Sequence, residues 1–217
     1  MSNEPEAVEH NQQRKLVDLG MKSIVCQALS DDAGRVVTGE GGESPSVVVW
    51  RVSDGLILNR FRGFHENGVV AVCFCVTEQG SKIMTVGGDK FHKVAIYDLS
   101  HTVATSKHHK PIAWRSGGAT DILAIGCYQD GTGTDARDVY VSVGKRHIRV
   151  WRLIETGDAN TQYHLDYTKA FFGEFDSNAT FTCLSFAETV TVIGADDGSI
   201  YLMKNASIVR VFASAHT

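Results

Sequence analysis

The sequence contains little proline, no long apolar run and no excess of basic residues. Its 217 residues include only 3 prolines, and the formal net charge is -4. No stretch approaches the ~18 apolar residues that suggest a membrane span, and the polar, acidic start lacks the apolar core of a secretory signal. Phosphate binding needs clustered Lys and Arg. We therefore expect partners that are neither nucleic acid nor membrane.

Cysteines are few and their number is odd, which disfavours a secreted disulfide framework. The 5 cysteines lie mainly in apolar runs, so we expect reduced, buried thiols in an intracellular protein. Hydrophobic residues make up 43% of the chain, which is enough for a sizeable core. Helical periodicity is hard to find after Gly20, whereas short runs of Val, Ile, Thr and aromatics alternate with Gly, Asp and Ser. This pattern predicts an all-β domain of many short strands.

A repeat of about 50 residues runs through the chain. Its most regular feature is an apolar segment centred on an aromatic or large residue, namely Trp50, Tyr97, Trp151 and Met203. Two further runs precede each segment and one follows it, so each unit has four predicted strands. We predict a disordered tail over residues 1–12 and a propeller segment over 13–217, with blades at about 22–64, 65–109, 119–173 and 179–216. The outer strand of the second blade is predicted at 101–109.

The repeat length also suits kelch propellers, but two details favour WD repeats. Tyr97-Asp98 stands where WD repeats have Trp-Asp, and Gly194–Met203 reads as the turn between the second and third WD strands. Its Gly and Asp residues suit a tight hairpin. The sequence therefore predicts an all-β fold of about four four-stranded antiparallel WD-type blades, which bury their faces by stacking.

WD blades often contain a buried relay of hydrogen bonds: a His before the first strand, a Ser or Thr on the second, an Asp in the turn and a Trp on the third. The residues that fit it are His65, Thr85, Asp89 and Tyr97 in the second unit, Thr38 and Trp50 in the first, Ser142 and Trp151 in the third, and Asp197 in the fourth. Ile193 and Met203 replace the Thr and the Trp in the fourth unit. We predict a structural role for all these residues, because buried polar groups need partners.

Several local sequences carry a more specific resemblance. They are Thr38–Gly42 followed by Ser44–Ser46, Arg62–His65 leading into Gly68-Val69, Phe91-His92 before a third strand, and Val141–Trp151. On these motifs, residues 13 to 217 resemble the echinoderm microtubule-associated protein-like family. The resemblance implies a non-enzymatic cytoskeletal scaffold that contacts tubulin or axonemal partners, located in the cytoplasm on microtubules or in a cilium or flagellum.

Two alternatives to this function stay open: a WD-repeat adaptor in another complex, and a propeller hydrolase with acids or metals in the central channel. The runs at 69–76 and 180–186, predicted to line the channel, are apolar, which disfavours an enzyme. The histidines at 101, 108 and 109, the Cys73-Cys75 pair and the acidic loop 130–138 lack the ligand spacing of zinc or calcium sites. We expect no cofactor.

Trp114 and Arg115 are the candidate protein-binding residues, because Trp and Arg are enriched at interface hot spots. We place them at the opening of the third unit, where Trp114 could equally fill a blade interface. The fourth unit supplies its own outer strand at 208–213, and the apolar piece 14–19 resembles the outer strand of a preceding blade. We therefore expect an incomplete propeller whose unprotected flanks favour self-association. A compact four-bladed ring is the alternative.

Overall fold

A computed structural model describes residues 22–77, 80–100, 110–157, 162–175, 178–213 and 215. These residues form four four-stranded antiparallel sheets, each in simple chain order. The first sheet contains β1 (Ile24–Leu29), β2 (Arg35–Glu40), β3 (Ser46–Arg51) and β4 (Ile57–Arg62). The second contains β5 (Val69–Phe74), β6 (Lys82–Gly87), β7 (Lys93–Asp98) and β8 (Ala113–Ser116).

The third sheet contains β9 (Ile122–Asp130), β10 (Arg137–Gly144), β11 (His147–Glu155) and β12 (Tyr163–Lys169). The fourth contains β13 (Phe181–Ala187), β14 (Val190–Ala195), β15 (Ile200–Lys204) and β16 (Ser207–Phe212). The prediction of an all-β fold with four four-stranded antiparallel sheets is confirmed. Among the described residues, no helix is long and apolar enough to cross a membrane.

The outer strand of the second sheet differs from the sequence expectation. The predicted strand at 101–109 lies outside the described residues, as does the tail at 1–12. The outer position beside β7 belongs to β8, in which Trp114 pairs with Ala95 and Arg115 with Val94. The Ile112 N–H extends this pairing by donating to the Ile96 carbonyl at 2.8 Å. Trp114 and Arg115 therefore belong to the second sheet and do not open the third.

The four sheets contact one another in chain order through their inner strands. Strand β5 lies against β1 and β9, and β13 lies against β9. Three apolar clusters fill the junctions between successive sheets. Strand β7 shows how a middle sheet divides its residues, because Val94 and Ile96 join the cluster on one face while Ala95 and Tyr97 join the other.

Candidate functional site

A chain of hydrogen bonds holds β10 to β11 inside the third sheet. The Trp151 Nε1–H donates to Ser142 Oγ at 2.8 Å, and Ser142 Oγ lies 2.8 Å from His147 Nε2. Since an indole N–H can only donate, the Ser142 hydroxyl keeps its own proton for His147. The other nitrogen, His147 Nδ1, lies 3.5 Å from Thr120 Oγ1. We call this arrangement the polar tie of the third sheet.

His147 is a member of this tie that the sequence pattern did not identify. WD repeats place the relay histidine before the first strand, whereas His147 begins β11, the third strand. A usable signal was its even spacing from Trp151, which puts both side chains on one face of a strand. Burial lowers the His147 pKa to about 3, and the nearby charges of Arg149 and His92 act in the same direction.

The second sheet has a related tie built on His65. Its Nε2 lies 2.7 Å from Thr85 Oγ1, and Thr85 donates weakly to the Ala95 carbonyl at 3.4 Å. Two buried atoms, His65 Nδ1 and Asp89 Oδ2, have no hydrogen-bond partner within the described part of the chain. Both converge on Gly87, where an added Cβ would lie 2.5 Å from His65 Nδ1 and 2.7 Å from Asp89 Oδ2.

Burial favours the neutral form of His65. Burial lowers the His65 pKa to about 4, although the Asp89 carboxylate opposes this shift. Tyr97, the predicted fourth member of this relay, is not hydrogen-bonded to Thr85 among the described contacts. Its ring packs against Phe61 at a centroid distance of 4.4 Å, and burial raises its pKa. The aromatic ring thus contributes packing to this sheet, while His65 and Thr85 form the polar contact.

The first and fourth sheets contain fewer of the hydrogen bonds that make up the predicted relay. In the first, the Trp50 Nε1–H donates to Thr38 Oγ1 at 2.9 Å. In the fourth, Ile193 and Met203 are buried with exposed fractions of 0% and 2%, and they join the apolar cluster against the third sheet. Asp197 lies in the turn, where its Oδ1 accepts from the Ser199 N–H at 2.8 Å.

Asp138 joins the second sheet to the third, and sequence reasoning missed this role. Its carboxylate accepts from the N–H groups of Val76 and Thr77 at 2.9 and 2.8 Å and from Thr77 Oγ1 at 2.6 Å. Three donors therefore occupy the carboxylate at the end of the acidic loop 130–138. Among the described residues, no group of three or more His, Cys, Asp or Glu side chains could hold a metal ion.

The predicted protein-binding residues, Trp114 and Arg115, lie on β8, the outer strand of the second sheet, which contacts β12, the outer strand of the third. Trp114 is 56% exposed, and its ring meets Phe64 edge-on at 5.9 Å. Arg115 points to the opposite face of β8, where it pairs with Asp166 and lies 4.8 Å from the centre of the Tyr167 ring. A single partner that touches both residues must therefore reach around the outer edge of β8.

Arg149 joins these residues from the third sheet. Its guanidinium lies 4.1 Å from the centre of the Tyr167 ring, well within the ~6 Å over which cation–π attraction is significant. Burial lowers the Arg149 pKa, and the like charge of Arg115 adds to that effect. We call Trp114, Arg115, Arg149 and Tyr167 the outer cationic surface.

A groove of about 490 Å³ continues from it between the third and fourth sheets, lined by Asp166, Tyr167, Arg152, Ile154, Tyr128 and Asn205.

Comparison with known proteins places the fold. No protein-family model matches the sequence. The chain is similar to the β-propeller domain of Cps50 (Swd1) from Myceliophteria thermophila, with a TM-score of 0.64 and 10% identity over 90% of this chain and 58% of that one. It is also similar to Hsv2 from Kluyvelomyces marxianus, with a TM-score of 0.50 and 15% identity over 67% of this chain and 44% of that one.

At these identities the likeness concerns the fold alone. The chain has the fold of a WD-repeat β-propeller, and its matched parts span 58% and 44% of the lengths of the two similar structures. The WD-repeat prediction is therefore confirmed. Membership of the echinoderm microtubule-associated protein-like family stays a prediction.

Proposed function

We propose that the chain is a non-enzymatic protein-binding scaffold of the microtubule cytoskeleton, which contacts tubulin or tubulin-associated proteins through the outer cationic surface. The observation that carries the proposal is the position of Trp114, which is 56% exposed on the outer strand of the second sheet, while the next residue, Arg115, presents a cation on the opposite face of that strand. A large exposed aromatic beside Arg is the composition of interface hot spots. The sequence resemblance supplies the class of partner.

The chemistry of the described interior supports binding over catalysis. Burial raises the pKa of the Cys73 and Cys127 thiols, so neither is a thiolate nucleophile near neutral pH. The buried histidines, His65 and His147, already contact hydroxyl groups of their own sheets. The Asp138 carboxylate is occupied by backbone and side-chain donors. These polar groups stabilise the sheets and leave the exposed surface for partners.

Charge also agrees with an acidic partner surface. Arg115 and Arg149 share the ring of Tyr167, whereas the only described acid paired with them is Asp166. Two guanidinium groups on one ring attract carboxylates, and such attraction weakens as salt is added.

The family resemblance also suggests where the protein is located. We propose that it lies in the cytoplasm on microtubules, with the axoneme of a cilium or flagellum as a further location.

Co-sedimentation with stabilised microtubules, alongside pull-down of unpolymerised tubulin, tests this function. We expect saturable binding that weakens about tenfold or more in Trp114→Ala, as for a hot-spot aromatic. Arg115→Ala should weaken binding and reduce its salt dependence. Phe171→Ala is the matched control, because Phe171 is an aromatic that is 69% exposed elsewhere.

Two results would contradict the proposal in different ways. A folded chain that binds neither microtubules nor tubulin removes the cytoskeletal function and favours the adaptor alternative. Binding that is unchanged in Trp114→Ala and Arg115→Ala keeps the partner but moves the contact elsewhere. Thermal melting of each variant confirms that the loss of binding is not a loss of fold.

A further inference from the structure

The first residue of each inner strand occupies the same position in its sheet. Ile24 pairs with Glu40, Val69 with Gly87, Ile122 with Gly144 and Phe181 with Ala195, each next to an irregularity in the strand pairing. Three of these residues pack against the preceding sheet. Val69, Ile122 and Phe181 are exposed by 0%, 1% and 0%, whereas Ile24 is exposed by 51%. We call these four side chains knob residues.

The first sheet contains a notch that receives a knob residue. Gly39 pairs with Cys26, and Val69 lies so close that a Cβ added to Gly39 would be 2.8 Å from the Val69 Cβ. The Cys26 thiol crosses the junction by donating to the Val69 carbonyl at 3.0 Å. The missing side chain at Gly39 therefore makes room for a β-branched residue of the next sheet.

The fourth sheet repeats this notch in the same register. Gly194 pairs with Cys183, as Gly39 pairs with Cys26. A Cβ added to Gly194 would lie 2.7 Å from the Cys183 sulfur and would meet no other described atom within 4 Å. Cys183 is exposed. The corresponding pairs in the middle sheets are Val86 with Ala71 and Val143 with Ala124, so the Gly–Cys notch belongs to the first and fourth sheets.

We propose that the Gly194–Cys183 notch binds Ile24 of a second copy of this chain. The first sheet of one copy then stacks on the fourth sheet of the other, in the manner of the junction at Val69. Ile24 is a β-branched aliphatic residue like Val69, which suits the same notch. Its 51% exposure shows that the fourth sheet of its own copy does not cover it.

Exposed apolar residues extend the two surfaces in the required positions. Leu29, at the other end of β1, is 61% exposed, and Phe212 on β16, which pairs with Ile200 on β15, is 40% exposed. Two copies related by a two-fold axis would fill both notches at once and close a ring of eight sheets. Propellers span ~4–8 blades, and closed two-fold dimers are the commonest oligomers.

An engineered disulfide tests the contact directly. At the junction between the first two sheets, a Cβ added to Gly39 would lie 2.8 Å from the Val69 Cβ and 2.6 Å from the Cys26 sulfur, so these two atoms are close to each other. In the proposed contact, residue 24 of one copy takes the place of Val69, and Cys183 of the other takes the place of Cys26. The thiol introduced by Ile24→Cys should therefore reach Cys183 of the second copy. Mild oxidation should then give a covalent dimer on a non-reducing gel. The double variant Ile24→Cys, Cys183→Ser should stay monomeric under the same conditions. An Ile24→Cys monomer, or a disulfide formed within one copy, would overturn the proposal.

Sedimentation velocity tests the unmodified protein. The wild-type chain should sediment with twice the monomer mass at high concentration and dissociate on dilution. The double variant Gly194→Val, Cys183→Ala fills the notch with the Val–Ala pair that the middle sheets have, so the fold should tolerate it while the dimer is lost. Ile24→Arg should have the same effect, and Leu56→Arg, at an apolar residue that is 51% exposed elsewhere, should not. A wild-type monomer at every concentration, or a dimer that survives both variants, contradicts the assignment.

Discussion

The third and fourth sheets have the same strand order but are held together by different interactions. In the third, Trp151, Ser142 and His147 form a polar tie across β10 and β11. In the fourth, Ile193 and Met203 occupy the corresponding positions and pack in the apolar cluster that faces the third sheet. Ser142 and Trp151 are as deeply buried as Ile193 and Met203. Burial alone therefore does not determine whether hydrogen bonds or apolar contacts hold a sheet together at these positions.

The difference shows that a sheet of this fold does not need the hydrogen-bonded relay, because apolar packing can take its place. A buried polar pair contributes only a modest net stability, but it is costly to break, because each unpaired group keeps its desolvation penalty. An apolar pair tolerates exchange if its volume is kept. The second and third sheets should therefore be sensitive to pH and to loss of one partner, and the fourth should not.

The largest expected effect is on acid stability. The His65 and His147 pKa values are lowered to about 4 and about 3, whereas an unfolded histidine titrates near ~6.5. The unfolded chain therefore binds more protons below pH ~6.5, and the free energy of unfolding falls as pH falls from there. Each histidine costs about 1.4 kcal/mol per pH unit until its folded pKa is reached. Urea unfolding between pH 7 and pH 4.5 measures this loss.

Replacing both buried histidines separates their contribution from that of the carboxylates. The double variant His65→Gln, His147→Gln should be less stable at pH 7 but should show a much flatter pH dependence. His164→Gln, at an exposed histidine on β12, should leave the slope unchanged. Equal slopes in the wild type and the double variant would contradict the role given to the two ties.

Ser142→Ala removes the centre of the polar tie in the third sheet. The variant leaves the Trp151 Nε1–H and the His147 Nε2 without their shared partner in a buried site. We expect a loss of about 3 kcal/mol in the free energy of unfolding. Ser185→Ala, at an exposed serine of β13, is the control and should change stability very little. A loss in Ser142→Ala as small as in the control would mean that the tie does not stabilise the sheet.

Gly87→Ala tests the crowded part of the second sheet. The new Cβ would lie 2.5 Å from His65 Nδ1 and 2.7 Å from Asp89 Oδ2, and both side chains are buried. Overpacking of this kind costs about 1–3 kcal/mol. Gly34→Ala serves as control, because its Cβ would approach only the Asp32 carboxylate at 3.3 Å. If thermal melting gave the same midpoint for both variants, the site would have more room than the structure describes.

Met203→Leu should have the smallest effect, because it keeps the apolar packing and nearly the volume of the fourth sheet. We expect a loss of about 1 kcal/mol or less, with no change in pH dependence. Denaturant unfolding at pH 7 and pH 5 measures both quantities. A strong pH dependence introduced by this variant would show that the fourth sheet depends on a polar contact after all.

Much of the fold could be predicted because strand patterns are local. Alternation along β7 and the Gly-Asp turn before β15 are properties of a few neighbouring residues. The outer strand of the second sheet could not be placed, since β8 has only four residues and pairs across a long connection. The sequence pattern instead favours 101–109, the run that directly follows β7, for the outer position, and puts Trp114 and Arg115 at the opening of the third unit.

The candidate site was less predictable because its contacts join residues that are far apart in the chain. Arg115 meets Asp166 and Tyr167 only because β8 and β12 come together between sheets. The relay residues of the third sheet, Ser142 and Trp151, fit a known pattern, but His147 reaches the same hydroxyl from an unexpected strand. The pattern names residue types, whereas three-dimensional packing decides which side chains reach one another.

One measurement tests the account most directly: exchange of the indole N–H protons in ¹⁵N-labelled protein transferred to D₂O. The chain has 3 tryptophans, and their environments differ sharply. Trp50 and Trp151 donate to buried hydroxyl groups, while Trp114 is 56% exposed on the outer cationic surface. We predict two slowly exchanging indole signals and one fast signal that disappears in Trp114→Ala. An indole of Trp151 that exchanges as fast as that of Trp114, or a protected Trp114, would contradict the account.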